Sequence, residues 1–311
     1  MTKFAGTIPW LGLIAAILIV AAFDASFLRP MTLIGLFSDS ATLFLMALGM
    51  TWVIYIGSID LSLQAVAAVS SVILALLIPQ YGMVAIAVAL VAGVLFGLVS
   101  GFVHGVLKLP SFIATLAVGG IAATAALALS GERSIQIDAT PRTDSLSWAI
   151  GRTLDIPNEI WVSLIVLALA MVIEQMTPFG KAMKALGSGE PAARIAGIRI
   201  QRTKLIVFMF AGLFAALSGV VLAGRLSSGS PTIANEFLLP AIAAVVLGGT
   251  SLAGGSGGVL RTLVGTLLIV VARTGMTFIG INALAQQIVF GLVLIAAVSL
   301  SAGRAQKGIM K

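Results

Sequence analysis

Apolar runs of about 20 residues recur along the whole chain, and no other feature constrains its fold so tightly. VAIAVALVAGVLFGLV (84–99) is one of them. A helix of that length crosses about 30 Å of hydrocarbon. Lipid offers the backbone no hydrogen-bond partners, so each run must satisfy its own N–H and C=O groups, as a helix does. A lipid-facing barrel strand would alternate apolar and polar residues; these runs do not. Only 9% of the 311 residues are charged and 59% are hydrophobic, too little charge to cover a soluble domain of this length. The chain therefore reads as an all-α polytopic membrane protein.

We place ten segments at about 8–28, 36–56, 61–78, 83–106, 111–130, 158–176, 205–224, 236–250, 258–273 and 284–302. The first resembles a signal sequence, with Lys3 before the apolar run and small residues near its end. Retaining it as a span makes the orientation consistent. No linker divides the chain, so residues 1–311 form a single transmembrane domain.

Orientation follows from the basic residues. Residues 177–204 carry Lys181, Lys184, Arg194, Arg199, Arg202 and Lys204 against Glu190 alone. The positive-inside rule makes this segment cytoplasmic. The other long polar segment, about 131–157, balances its arginines with acids and lies one span earlier, hence outside. Counting back places Lys3 and Lys108 inside; counting forward places Arg304, Lys307 and Lys311 inside. Both termini are expected in the cytoplasm. The net charge of +7 is thus a topology signal, not a nucleic-acid footprint.

Several chemistries are excluded by composition. There is no cysteine and only one histidine, His104, so neither a thiolate nor a multi-His metal site is expected. GxSxG, HExxH and the Walker A motif are absent. The lone Gly180–Lys181 pair is followed by Ala182, and Gln175 stands where the first Walker glycine belongs. The chain does not hydrolyse ATP by itself, and no cofactor is expected.

Two segments are interrupted by glycine. IGSIDLS (56–62) and GGTSLAGGSGG (248–258) precede apolar runs, and aligning Gly57 with Gly248 also aligns Leu61 with Leu252. Such breaks at corresponding places in two halves point to a transporter's pathway. Asp60 would cost about 2.5–3.5 kcal/mol at the centre of a spanning helix. Two readings stay open. It caps the following helix, or it contributes a polar contact to a pathway, with Ser62 and Gln64 nearby. An ion-driven transporter using Asp60 as its coupling acid is the alternative class.

Other polar residues read more plainly. Glu174 is expected to be a solvated interfacial residue, and Asn235 and Glu236 to start a helix on the outer side. His104 reads as a helix-end residue near the inner surface. Arg261 and Arg273 are expected to snorkel to the two interfaces. The four tryptophans fit interface or packing roles. Within the basic segment, Pro191 suits the first turn of a short helix that Ser188 or Glu190 would cap and Gly197 would end. Ala192, Ala193 and Ala196 would let another surface approach. An ordinary basic loop contacting anionic lipid is the plain alternative.

Four stretches carry a resemblance: GMTWVIYIGSIDLSLQAV (49–66), LPSFIATLA (109–117), TPFGKAMKALGSGEPAARIAGI (177–198) and LPAIAAVVLGGTSLAGGSGG (239–258). In this order they resemble the membrane permease subunits of bacterial sugar ABC importers of the ribose/xylose/autoinducer-2 type. The resemblance implies about ten inner-membrane spans. It also implies a separate cytoplasmic ATP-binding subunit, an extracytoplasmic solute-binding protein, and a second permease copy, identical or paralogous. It implies that Ser58, Asp60, Ser62, Gln64, Thr250 and Ser251 lie along the solute pathway. It places Gly187, Glu190, Pro191, Ala192, Ala193 and Gly197 in the loop and coupling helix that dock on the ATPase. The chain departs from the family pattern at Ser58 and Ser256, at His104–Gly105 and Arg273–Thr274, and at Leu238 and Pro240, where many members carry acids. The resemblance therefore singles out no particular sugar.

Overall fold

Prolines open several of the helices. Pro9, Pro30, Pro178 and Pro191 each stand in a first turn, where the missing N–H costs nothing. The computed structural model describes residues 7–282, together with Ala285, Ile288, Gly291, Leu292 and Ile295. Lys3, Arg304, Lys307, Lys311 and all but those five positions of the expected segment 284–302 lie outside the described residues.

The helices, in order, are α1 (Ile8–Phe23), α2 (Pro30–Tyr55), α3 (Leu63–Tyr81), α4 (Met83–Gly105), α5 (Ser111–Ser130), α6 (Ala139–Ile150), α7 (Asn158–Met176), α8 (Pro178–Ser188), α9 (Glu190–Ile195), α10 (Ile200–Leu226), α11 (Leu238–Leu247) and α12 (Val259–Phe278). Seven are long and apolar enough to cross a membrane: α2, α3, α4, α5, α7, α10 and α12. The chain is a polytopic helical membrane protein. The remaining expected segments among the described residues form α1 and α11, which are apolar but only 16 and 10 residues long. Ten residues rise about 15 Å, half the hydrocarbon thickness. The expected short segment 258–273 instead forms the 20-residue α12.

The expected polar loop 131–157 carries α6 and two small antiparallel pairings. Strand β1 (Ile135–Gln136) pairs with β4 (Ser228–Gly229), and β2 (Arg152–Thr153) pairs with β3 (Ile156–Pro157).

Helix α2 is the axis of the bundle: every residue from Ser40 to Tyr55 is buried. It packs against α10, α12, α7 and α11, while α3 packs against α10, α4 and α5. Trp52 anchors this core edge-on to Phe210 and Phe214, with ring centroids 5.3 and 5.5 Å away. That geometry suits the ring quadrupoles.

The tightest seam joins α4 to α10. Gly93, Gly97, Gly101 and Gly105 recur every fourth residue, so they share one face of α4. A Cβ on Gly97 would lie 2.2 Å from the carbonyl oxygen of Phe208, and one on Gly212 would lie 2.1 Å from that of Gly93. The two backbones touch directly. In a membrane, such contact supplies the dispersion attraction that hydrophobicity cannot.

At one end of the bundle α2, α7 and α10 are clamped by charge. Arg225 reaches Asp39 at 2.7 Å and Glu159 at 3.5 Å, and its Nη1 donates to the Ser38 carbonyl at 3.1 Å. The Ser38 hydroxyl donates to Glu159.

Candidate functional site

At the opposite end, the two glycine breaks and the basic segment converge. The chain leaves α2 at Tyr55 and turns through Gly57, whose φ of +76° lies in the left-handed region that glycine adopts without penalty. Asp60 follows, fully buried. Its Oδ1 accepts from the Ser62 amide at 2.8 Å and from the Ser62 hydroxyl at 2.5 Å. These contacts form an Asx-type turn, so of the two open readings the cap is not made. Helix α3 starts at Leu63 with Ser62 as its N-cap residue, and no side chain caps it. Asp60 Oδ2 has no hydrogen-bond partner among the described residues.

The turn is pinned from α4 and α5. The His104 Nδ1 lies 2.8 Å from the carbonyl of Leu109, and its Nε2 lies 3.1 Å from the Ser58 hydroxyl. A carbonyl only accepts, so Nδ1 carries the hydrogen. In the neutral ring Nε2 then accepts from Ser58. The Ile59 amide donates to Ser111 Oγ at 3.1 Å and the Leu61 amide to Thr115 Oγ1 at 3.0 Å. His104 is at a helix end, as expected, and it also ties the turn to the α4–α5 connection. Gln64 lies just inside α3, half-buried.

The second break, 248–258, lies beside the first. The Gly255 amide donates to the Tyr55 carbonyl at 3.0 Å. Thr250 is fully buried, and its hydroxyl accepts from the Gly258 amide at 3.4 Å. The Ser251 hydroxyl accepts from the Ala253 amide at 3.2 Å. Glu174 corrects an expectation here. It is half-buried, and its Oε2 accepts from the Val259 amide at 3.2 Å. It therefore satisfies a free first-turn donor of α12 across 85 residues of chain. Arg273 is likewise paired, with Glu236 at 2.9 Å.

Helix α8 seats the basic segment on both breaks. Its Thr177 hydroxyl accepts from the Gly180 amide at 3.2 Å, a proper N-cap. Met183 and Leu186 are buried, while Lys181 and Lys184 stay exposed. At its end Gly187 rests on backbone: a Cβ there would lie 2.0 Å from the Tyr55 oxygen and 2.5 Å from the Gly255 nitrogen. The basic segment thus touches the residue just before the first break, Tyr55, and Gly255 within the second.

Helix α9 follows immediately. Neither Ser188 nor Glu190 caps it, contrary to expectation. The N-cap residue is Gly189, and no side-chain bond is made there. Ser188 instead donates to the Lys184 carbonyl at 2.9 Å. Glu190 pairs with Lys204 at 3.3 Å and Arg194 at 3.9 Å. Gly197 ends the helix as expected. Its φ is +76°, its amide donates to Arg194, and the Ile198 amide donates to Ala193, a Schellman arrangement. Ala193 is buried, whereas Pro191, Ala192 and Ala196 are exposed.

Sequence reasoning missed Ile195, which is 90% exposed on this helix. Two large apolar residues, Ile195 and Ile198, stand between Arg194 and Arg199, and the sequence does not mark which of them is exposed. Reasoning also missed Tyr55 and Gly255, whose role is backbone contact and leaves no side-chain signature. Among the described residues, no group of three or more His, Asp or Glu side chains could hold a metal.

Comparison with known proteins agrees with this architecture. The family described as "Branched-chain amino acid transport system / permease component" matches residues 32–298. The ribose import permease RbsC of Bacillus subtilis (strain 168) is 37% identical over 306 residues, covering 94% of this chain and 91% of the relative. RbsC of Escherichia coli (strain K12) is 34% identical over 291 residues, covering 93% and 91%. The L-arabinose transport system permease AraH of Escherichia coli (strain K12) is 34% identical over 258 residues, covering 82% and 77%.

Proposed function

Because the chain belongs to the family of branched-chain amino acid transport system permease components, we propose that it is the membrane subunit of an ATP-driven importer. Its solute is a monosaccharide or a similarly small polar molecule. The names of the ribose and arabinose permeases support that class of solute.

One observation carries the mechanism: the last turn of α8 holds Gly187, in backbone contact with both Tyr55 and Gly255. A rigid-body push on α8 and α9 is therefore delivered directly to the two breaks, with no flexible side chain to absorb it. The absent Walker A motif assigns ATP hydrolysis to a separate cytoplasmic subunit. The exposed Ile195, with Pro191, Ala192 and Ala196, gives that subunit an apolar face to grip. Glu190 and Gly197 set the helix's position and length.

In this reading the protein has about ten spans, both termini in the cytoplasm, and a bacterial inner-membrane location. A solute-binding protein delivers to the outer side, where α6 lies, and a second permease copy, identical or paralogous, completes the pathway. Ser58, Asp60, Ser62, Gln64, Thr250 and Ser251 belong to the inner end of that pathway. Turn residues there shift when α8 moves and offer weak contacts that release what they receive.

The test is reconstitution in liposomes with the cognate ATPase and binding protein. Solute uptake should require ATP and both partners. Uptake that persists without the ATPase would overturn the proposal.

A further inference from the structure

Lys108 and the first turn of α10 face one another across a cleft of about 720 Å³. It is bordered by Lys108, Arg194, Arg199, Arg202 and Lys204, with Glu190 as the carboxylate. Glu190 is already engaged by Lys204 and Arg194. Among the described residues, Lys108, Arg199 and Arg202 have no ion-pair partner. Helix α10 opens into the same cleft with no side-chain cap, so its positive end adds to the field. Lys108 holds φ +59°, in the left-handed region that a non-glycine residue seldom adopts. Next to it along the chain, outside the cleft's lining, Leu107, Leu109 and Phe112 are 55%, 44% and 52% exposed.

A free anion would use only the cations. A ligand that uses both the cations and the neighbouring apolar side chains carries a phosphate and hydrocarbon together. We propose that this cleft binds the phosphate-bearing headgroup of an acidic phospholipid of the cytoplasmic leaflet, with its acyl chains along Leu107, Leu109 and Phe112. The assignment to that leaflet rests on the orientation proposed above; the binding itself does not.

The full-length protein, delipidated in detergent, is titrated with phosphatidylglycerol or phosphatidylcholine, and retained lipid is read by native mass spectrometry. The wild type should prefer phosphatidylglycerol by about tenfold or more, since its phosphate charge is uncompensated whereas the choline ammonium of phosphatidylcholine cancels that charge. K108Q/R199Q/R202Q should lose the preference, and K108R/R199K/R202K should restore it. If the triple variant does not fold, K108Q alone should weaken retention about fivefold.

Equal retention of the two lipids by the wild type, or an unchanged preference in K108Q/R199Q/R202Q, overturns the proposal. Displacement by millimolar inorganic phosphate would reassign the cleft to a free anion. Lost ATPase-subunit binding with lipid preference intact would reassign it to that protein. Orientation is read separately. The chain has no cysteine, so Ser188→Cys provides a unique label. Labelling from outside intact cells would overturn the leaflet assignment while leaving the lipid result standing.

Discussion

Gly187 sits so close to Tyr55 that a Cβ on it would lie 2.0 Å from the Tyr55 carbonyl oxygen. The obstacle is backbone, which cannot rotate away as a side chain can. Gly187→Ala should therefore destabilise the protein by about 1–3 kcal/mol, read by thermal unfolding in detergent. It should also reduce uptake per ATP hydrolysed in the reconstituted importer. Wild-type stability and unchanged coupling in this variant would show that the contact is dispensable.

The α4–α10 seam makes a paired prediction. Gly97→Ala places a methyl 2.2 Å from the Phe208 oxygen, whereas Gly120, within α5, has no neighbouring atom within 4 Å of its added Cβ. The first substitution should cost about 1–3 kcal/mol. The second should be neutral or stabilising by up to about 1 kcal/mol, because alanine favours the helix. Equal melting shifts would contradict the close approach.

Asp60 tests the type of energy coupling. An asparagine keeps an acceptor for the Ser62 amide and hydroxyl, so Asp60→Asn should retain ATP-driven uptake. Asp60→Ala loses both bonds and should cost about 1–3 kcal/mol. Should Asp60→Asn abolish transport while the protein stays folded, the carboxylate acts directly. Uptake driven by an ion gradient without the ATPase would revive the alternative class.

Burial separates the two acids around Arg225. The Glu159 side chain is 7% exposed and that of Asp39 is 57% exposed. Arg225→Gln leaves Glu159 nearly buried without its cation, which should cost about 3–5 kcal/mol. Asp39→Asn should cost about 1 kcal/mol or less, as exposed pairs do. Melting temperatures of the two variants should differ accordingly.

How much of this was legible depended on distance along the chain. Pro191 and Gly197 mark the ends of α9 because both act through their own backbone. The short α11 was readable as an interrupted segment. Glu174 was not readable as a cap for α12, because its partner Val259 is 85 residues away. The glycine repeat of α4 was present in the sequence, but its meaning required Gly212 and Phe208 on α10 to be placed opposite. Asp60 was recognised as unusual, yet the choice between cap and turn depended on the Ser62 contacts. Most of the site residues were visible, but Ile195, Tyr55 and Gly255 were not; what folding added was that Gly187, Tyr55 and Gly255 share one point.

Helix α10 has a consequence of its own. Four residues separate it from the end of α9, and it runs 27 residues without a proline, with Arg225 near its far end, a length of about 40 Å. Along the way its backbone is wedged against α4, so it has little freedom to buckle. In the proposed reading it would serve as a push-rod spanning the protein: one end is next to the surface where a motor would press, and the other holds the ion pairs to Asp39 and Glu159. Stiffness of that rod, more than any chemistry along it, would decide whether the two sides of the membrane act in step.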